Sequence, residues 1–168
     1  MAKDCQASRG FASTAACSKS SLFFRMAFAR YHKRMAEPMT IDVTSRQRIE
    51  IINIGGEVAR AVAESGVEEG ICVLQSLHTT AALSVNESAD PDVKKDLLRQ
   101  LALLAPRDPS FLHAEGNSDA HIKTSLLGPS LSLVVSGGRP LLGAWQTIYF
   151  CEFDGPRRRQ VVVKCVKG

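Results

Sequence analysis

The amino-acid sequence predicts an α+β protein, a compact single domain built mostly of antiparallel sheet with about three helices. Apolar segments rich in Val and Ile follow one another along the chain, and residues typical of tight turns separate several of them. Segments with helical periodicity fall between them at irregular intervals, whereas a doubly wound parallel sheet would alternate strand and helix regularly. Both features favour antiparallel pairing of strands.

Residues 1–36 are predicted to lie outside this domain, which we assign to residues 37–168. The first 34 residues contain seven Lys or Arg and one Asp, and they are rich in Ser and Ala. This composition is typical of an organelle transit peptide, although a disordered extension, or sequence upstream of a true start at Met26 or Met35, would have the same character. We therefore expect the protein in the cytoplasm or, if this segment is a presequence, in mitochondria.

The remainder of the chain is mildly acidic. The whole chain has a net charge of +4 and the first 34 residues carry +6, which leaves −2 for the rest. This charge gives little support to nucleic-acid binding, and no apolar run is long enough to cross a membrane. The five cysteines form no CxxC pair, so we interpret them as reduced, buried thiols of an intracellular protein.

The domain is predicted to begin with strand, helix and strand. Apolar and polar residues alternate in MTIDVTSRQRIEIINI, which indicates extended structure. Apolar residues then share one helical face in GEVARAVAESGV, and Gly66 is suited to end that helix. A nearly continuous apolar run follows, and its interruption at His78 predicts two strands, over residues 71–77 and 81–86.

The second half of the domain contains the clearest helix signal. Residues 91–104 carry apolar side chains at helical spacing, and Asp90 before a proline is a suitable N-cap. The Gly-Gly pair at residues 137–138 predicts a hairpin, and a turn at residues 154–156 joins the last two predicted strands. Trp145 is the only tryptophan, and we interpret it as a core aromatic residue.

One window, FLHAEGNSDAHIKTSLLG at residues 111–128, concentrates polar and titratable side chains. His113 and Glu115 would lie on one side of an extended segment, and Asn117 could cap the helix that follows. His121 would then lie in the first turns of that helix. The free N–H groups at a helix start favour an anion such as phosphate. Imidazole and carboxylate together suit zinc or another divalent ion, although this spacing is a weak metal signature.

Other polar residues stand at similar junctions. His78 ends an apolar strand and precedes Thr79 and Thr80, at a position where binding sites are often built. Glu152 lies in an aromatic run and is either on a solvated strand face or deliberately placed in a pocket. The three arginines at residues 157–159 are most simply interpreted as a solvated charge cluster.

Three long motifs, in this order, strongly resemble the YjbQ-like family, whose members are also called secondary thiamine-phosphate synthases. They are HTTAALSVNESADPDV, HAEGNSDAHIKTSLLG and LGAWQTIYFCEFDGPRRR, and the resemblance covers residues 38–168. It implies a compact α+β domain with antiparallel sheets, assembled as a homotrimer with clefts near the subunit boundaries. It also implies weak replacement of the main thiamine-phosphate synthase, an activity that could be secondary to another one.

The family's motifs include most of the polar residues described above, together with several of their neighbours in the sequence. The matching residues are His78, Thr79, Thr80, Asn86, Glu87, Asp90, Pro91, His113, Glu115, Gly116, Asn117, His121, Trp145, Gln146, Glu152 and Asp154.

Our first hypothesis is an enzyme that joins a hydroxymethylpyrimidine diphosphate to a thiazole phosphate and releases pyrophosphate. The predicted catalytic residues are His78, His113, Glu115 and His121. The predicted substrate-binding residues are Thr79, Thr80, Asn86, Asn117, Lys123 and Gln146. The nearest cationic candidates for a phosphate group are Lys123 and Arg139. A divalent metal ion, Mg²⁺ or Zn²⁺, would stabilise the departing pyrophosphate. Its predicted ligands are His78, His113, His121, Glu115 and Asp90.

Two alternatives use the same residues. One is a metal-dependent hydrolase or lyase of a phosphorylated metabolite, in which the ion activates water. The other is a non-catalytic trimeric module that binds a small anion. The partner that we predict is a small phosphorylated metabolite, with no nucleic acid and no membrane, and we expect the chain to form a homotrimer.

Overall fold

The computed structural model describes residues 37–168 of the chain. Within this range the elements are, in chain order, β1 (Met39–Thr44), β2 (Glu50–Asn53), α1 (Gly55–Ser65), β3 (Gly70–Ser76), β4 (Ala81–Glu87), α2 (Pro91–Leu104), α3 (Ser118–Leu127), β5 (Ser130–Ser136), β6 (Arg139–Pro140), β7 (Gln146–Glu152) and β8 (Arg158–Lys167). The predicted α+β class with three helices is confirmed for this part of the chain. The separate segment predicted at residues 1–36 lies outside the described residues.

The eight strands form two sheets in which every pairing is antiparallel, as predicted. The larger sheet has the order β1-β8-β3-β5-β6, and the smaller sheet has the order β2-β7-β4. The single extended segment expected before α1 is in fact two strands, β1 and β2, one in each sheet. β8 occupies an inner position of the larger sheet because it pairs with β1 on one side and with β3 on the other.

The two sheets are linked at one end by the turns that connect β3 to β4 and β7 to β8. The Phe153 N–H donates a hydrogen bond to the Thr80 carbonyl at 3.1 Å, and the Leu77 N–H donates to the Gln160 carbonyl at 3.2 Å. These backbone bonds hold the two turns side by side. The polar residues that the sequence carries at both turns therefore come together at this end of the sheets.

The main core is formed by alternate residues of the larger sheet together with α1 and the inner face of the smaller sheet. In β3, for example, Cys72 and Leu74 are fully buried whereas Ile71 and Val73 are exposed. Strand β7 differs because it is buried throughout from Thr147 to its end, which explains its nearly continuous apolar sequence. Cys72, Cys151 and Cys165 are buried free thiols, as predicted.

The helix boundaries follow the capping residues seen in the sequence. Gly66 has the left-handed conformation (φ 68°) that ends α1, and the Asp90 carboxylate accepts a hydrogen bond from the Asp92 N–H at 2.8 Å at the start of α2. In α2 only Leu101 is buried, so most of its apolar side chains are left partly or largely exposed. None of the helices in residues 37–168 is long and apolar enough to cross a bilayer.

Two local predictions have opposite outcomes. The hairpin at residues 137–138 is confirmed, because both glycines have positive φ (57° and 70°) and connect β5 to β6. The interpretation of Trp145 as a core residue is wrong, since its side chain is 67% exposed. Trp145 precedes β7 in a loop and is held by its backbone, whose carbonyl accepts a hydrogen bond from the Ser88 N–H.

Candidate functional site

A polar cavity of about 340 Å³, called the first cavity below, opens where the β3–β4 turn, the loop before α3 and the β7–β8 turn meet. The structure brings seven of the predicted site residues to its wall. They are His78, Thr79, Thr80, His113, Glu115, Asn117 and His121. The cavity is also lined by Leu77, Asp154, Arg157 and Arg159.

His113 and His121 face each other across the turn that precedes α3. Their ring centroids are 5.3 Å apart and the planes are nearly perpendicular (86°). Gly116, with φ of 67°, makes the turn possible, and its N–H donates to the His113 carbonyl at 3.0 Å. The turn therefore returns the chain so that an exposed loop histidine lies against a half-buried helical one, as the sequence predicted.

Asn117 precedes α3 but does not cap it with its side chain. Its Nδ2 instead donates to Glu115 Oε2 at 3.3 Å and to Asp154 Oδ2 at 3.0 Å. The predicted side-chain cap is therefore wrong, because two carboxylates compete for the same amide. Asn117 Oδ1 is buried and has no hydrogen-bond partner within residues 37–168.

His78 is held by a hydrogen bond that fixes which nitrogen carries its proton. Its Nε2 accepts from the Gln160 N–H at 2.7 Å, so the neutral ring carries its proton on Nδ1. Burial lowers the pKa of His78, and the nearby Arg159 charge lowers it further against the opposing effect of Glu152. His78 is therefore suited to donate a hydrogen bond through Nδ1 rather than to act as a base through Nε2.

Arg159 lines the cavity and forms a buried ion pair with Glu152, which lies behind the cavity wall. Arg159 Nε and Nη2 each donate to one carboxylate oxygen at 2.6 Å, and Nη2 also donates to Thr80 Oγ1 at 3.0 Å. Glu152 further accepts from Ser45 Oγ at 3.0 Å and from the two backbone N–H groups that follow it, at 3.1 and 2.9 Å. Burial alone would raise the pKa of Glu152, but these donors outweigh it and lower the pKa.

This geometry decides between the two interpretations of Glu152 and corrects one of Arg159. Glu152 is fully buried beside the cavity rather than on a solvated strand face. Arg159 is only 6% exposed, so the interpretation of residues 157–159 as a solvated cluster is wrong for this residue. Strand alternation is the physical reason, because Arg158 and Gln160 point outward from β8 while Arg159 points inward.

Lys123 is part of a separate buried network and does not line the cavity. Its Nζ donates to Asp119 Oδ2 at 2.8 Å and to the Ala105 carbonyl at 2.7 Å. Arg48 donates to both oxygens of the same carboxylate, at 2.9 and 3.3 Å. The structure therefore joins Lys123 to the packing of α2 and α3 and not to a substrate. Arg139, the other cationic candidate, lies in the β5–β6 hairpin.

Three further predicted residues lie at the opposite end of the smaller sheet. Asn86 is five residues along β4 from Ala81, about 17 Å at the rise of a strand. Gln146 begins β7 at the same end, and its Oε1 accepts from the Gly143 N–H at 2.8 Å. Asp90 caps α2 beyond that end. Within one chain the structure does not bring these residues to the histidines.

The predicted metal ligands do not form a metal site within residues 37–168 of one chain. No group of three or more His, Cys, Asp or Glu side chains in this range is arranged to hold an ion. Of the predicted set, His113 and His121 are in contact, but His78 already uses Nε2 as an acceptor and Asp90 lies at the far end of the smaller sheet. Within one chain these residues are therefore not gathered around a common point as metal ligands would be.

A second cavity, of about 420 Å³, adjoins the first. The two share Leu77, His78, Thr79 and His121. The remaining lining residues of the second cavity are Gln75, Ser76, Thr124, Ser125 and Pro129, so its wall contains no Lys, Arg, Asp or Glu. The Thr124 hydroxyl is buried and has no partner within the described part of the chain. An uncharged group with hydrogen-bonding atoms would suit this second cavity.

The fold and the two cavities define a class of protein: an α+β domain with antiparallel sheets and a histidine-lined pair of adjoining cavities. A protein-family model described as "UPF0047 protein YjbQ-like" matches residues 39–168. The chain belongs to this family, as the motifs predicted.

Relatives and solved structures agree with this membership. The UPF0047 protein MJ1081 of Methanocaldococcus jannaschii is 48% identical over 124 residues, which cover 74% of this chain and 90% of that protein. The UPF0047 protein YugU of Bacillus subtilis is 44% identical over 126 residues, which cover 74% of this chain and 96% of that protein. These relatives come from an archaeon and a bacterium and lend no support to a mitochondrial presequence.

Two crystal structures have the same fold. A family member from Clostridium acetobutylicum, described as an uncharacterized conserved protein, is 44% identical, with a TM-score of 0.74 over 76% of this chain and 99% of that one. A YbjQ-like protein of unknown function from Sulfolobus solfataricus is 29% identical, with a TM-score of 0.75 over 79% of this chain and 97% of that one. Neither description names an activity.

Proposed function

We propose that the protein is a transferase that joins a hydroxymethylpyrimidine diphosphate to a thiazole phosphate and releases pyrophosphate. The observation that carries this proposal is the pair of adjoining cavities, which have His78, Thr79 and His121 as a common wall. A reaction that joins two substrates needs two adjoining subsites with reactive groups between them. A hydrolase of one metabolite, or a binding module, would need only one of them.

The difference in charge between the cavities supports an assignment of the substrate groups. The first cavity is lined by two arginines, two carboxylates and all three candidate histidines, and it suits the diphosphate. The wall of the second cavity contains no Lys, Arg, Asp or Glu, and it suits an uncharged heterocyclic ring. In this proposal the bond to be made lies near His78 and His121, where the two cavities join.

The chemistry of the proposed step needs stabilisation of charge rather than removal of a proton. The thiazole nitrogen uses its lone pair to form a bond to the pyrimidine methylene carbon, and the carbon–oxygen bond to pyrophosphate breaks with its electron pair on the leaving group. We assign hydrogen-bond donation to the departing pyrophosphate to His78 Nδ1, His113 and His121. Glu115 would stabilise the positive charge that develops on the thiazolium ring.

The test is a coupling assay with purified protein and both substrates, with and without added Mg²⁺. We expect thiamine phosphate and pyrophosphate to appear in equal amounts, and only when both substrates are present. Release of phosphate or pyrophosphate from one substrate alone would instead favour the hydrolase or lyase. Binding of both substrates without any product would favour the non-catalytic module. A Glu64→Ala variant, changed on the exposed face of α1, should keep the full rate.

We also propose a homotrimer, for which the exposed apolar face of the larger sheet is the support. Ile71 on β3 is paired with Val134 on β5 and Val166 on β8, and Ile71 and Val134 are 52% and 55% exposed. No helix among the described elements packs on this side of β3, whose inward residues face the core. A second subunit could cover this face, and the family resemblance names the trimer as the closed form.

Light scattering on the purified protein tests this assembly. We expect a mass of about three chains, and Ile71→Lys should dissociate the assembly because it places a charge in the apolar face. If the site lies near the subunit boundary, the dissociated variant should also lose activity. A stable and fully active monomer at micromolar concentration would contradict both the trimer and a shared site.

A further inference from the structure

We infer that Arg159 anchors a phosphate or pyrophosphate group in the first cavity. The inference rests on the proposed function for the class of ligand, but it concerns binding and not turnover. Lys123 and Arg139, the cationic candidates that the sequence offers for phosphate, do not line this cavity. The arginine that does line it and is almost fully buried had been interpreted as part of a solvated cluster.

The guanidinium of Arg159 keeps one branch free for a ligand. Its three hydrogen bonds, two to Glu152 and one to Thr80, use Nε and Nη2 only. Nη1 makes no hydrogen bond within residues 37–168, and it is not among the fully buried side-chain atoms that lack a partner, so part of its surface remains accessible. Because Arg159 lines the first cavity, we assign both N–H groups of Nη1 to an oxygen of a ligand there.

The remaining atoms of the pair hold this free branch in a fixed orientation. Glu152 is fully buried and accepts hydrogen bonds from Arg159, from Ser45 and from two backbone N–H groups. A guanidinium held by these hydrogen bonds loses little further conformational entropy when an anion binds. Because Glu152 offsets the positive charge, Arg159 contributes directed donors, while Arg157 in the same wall adds a more exposed cation.

Of the two arginines that line the cavity, Arg159 is the more buried and the more firmly held. Arg157 is about half exposed and is paired with Asp154 at 2.8 Å. Glu115 accepts from Asn117 and has no cationic partner within the described chain, so it disfavours an anion near itself. An anion with terminal oxygens therefore binds best on the side of the cavity formed by Arg159, Thr80 and His78.

A substitution to lysine separates the anchoring role from the structural one. Lysine at position 159 could keep the buried ion pair with Glu152, but its single ammonium group has no second branch to offer the cavity. In calorimetric titrations with inorganic pyrophosphate, we expect Arg159→Lys to raise the dissociation constant by at least about tenfold. The matched control is Arg158→Lys, the same change at the exposed neighbour outside the first cavity, which should stay within about twofold of the wild type.

A second pair of variants keeps the test decisive if Arg159→Lys does not fold. Glu152→Gln leaves the free branch of Arg159 in place and removes the carboxylate that offsets its charge, so pyrophosphate should bind at least as tightly as in the wild type. The double variant Glu152→Gln/Arg159→Gln replaces the ion pair with an amide pair and should lose binding. Inorganic phosphate, tested in parallel, should show the same order with weaker affinity.

The outcomes for this inference and for the proposed function are separable. Pyrophosphate binding that depends on Arg159, without any thiamine phosphate formed in the coupling assay, would support the anchor and reject the proposed reaction. Full coupling activity with unchanged pyrophosphate binding in Arg159→Lys, or in the double variant, would overturn the anchor alone. Failure of the wild-type protein to bind pyrophosphate or phosphate would also overturn it.

Discussion

Replacing Glu152 with alanine is expected to lower the free energy of unfolding by about 3–5 kcal/mol. The change would leave the Arg159 guanidinium buried without its carboxylate, and it would also remove the acceptor used by Ser45 and two backbone N–H groups. Urea denaturation, followed by circular dichroism, measures the effect. The matched control is Glu64→Ala, which breaks an exposed pair with Arg60 and should cost no more than about 0.5 kcal/mol.

The pH dependence of stability provides a further measure of the same ion pair. The folded protein lowers the pKa of Glu152, so the stability that this group contributes is fully present above its usual value of 4.5. It is lost as the pH falls through the lower pKa of the folded state. Glu152→Gln should show less of this acid-dependent loss. A loss below about 1 kcal/mol for Glu152→Ala at neutral pH would contradict the assigned role.

The largest effect on activity is expected from His113→Ala and His121→Ala. Each change should lower kcat/KM in the coupling assay by about 10²–10⁴-fold, which is the usual contribution of a positioned proton donor. Stability should change by less than about 1 kcal/mol, because His113 is exposed and neither imidazole makes a side-chain hydrogen bond within the described residues. Steady-state kinetics and denaturation on the same preparations measure both quantities.

The double variant is informative because the two rings are in contact. If His113 and His121 act as one unit, removing both should cost little more than removing either one. Loss of the folded state in either single variant would mean that the histidine is structural. Product formation at the wild-type rate in both variants would contradict their assignment as donors and with it the proposed reaction.

The fold was largely predictable because local signals agreed with tertiary structure. The strands predicted at 71–77 and 81–86 lie within one residue of β3 and β4, and α2 has the predicted bounds. Residues with strong local roles, such as Gly66 and Asp90, fixed the ends of helices. The exposure of Trp145 was not predictable in this way, since a large apolar residue next to a strand carries no local signal for exposure.

The residues of the site were predictable, but their roles depend on contacts between distant segments. The histidines were recognised because they stand at element ends. The pairing of Lys123 with Asp119 corresponds to a spacing of four residues in a predicted helix, which is a local signal for a structural ion pair. No spacing rule indicates that Arg159 donates hydrogen bonds both to Glu152, across a turn, and to Thr80. These contacts form only where the two sheets meet.

The inner position of β8 has a consequence for how the protein is made. Ile41 in β1 pairs with Val161 in β8, 120 residues further along the chain, and β3 also takes β8 as a partner. The ribosome delivers residues in order, so β1 and one edge of β3 wait unpaired until the last of these eight strands has been synthesised. Arg159 arrives on that same strand. Only β3, β5 and β6 can pair early, because β7, the central strand of the smaller sheet, is synthesised just before β8. The nascent chain therefore completes both sheets and the wall of its cavity together, in a final step after translation of β8.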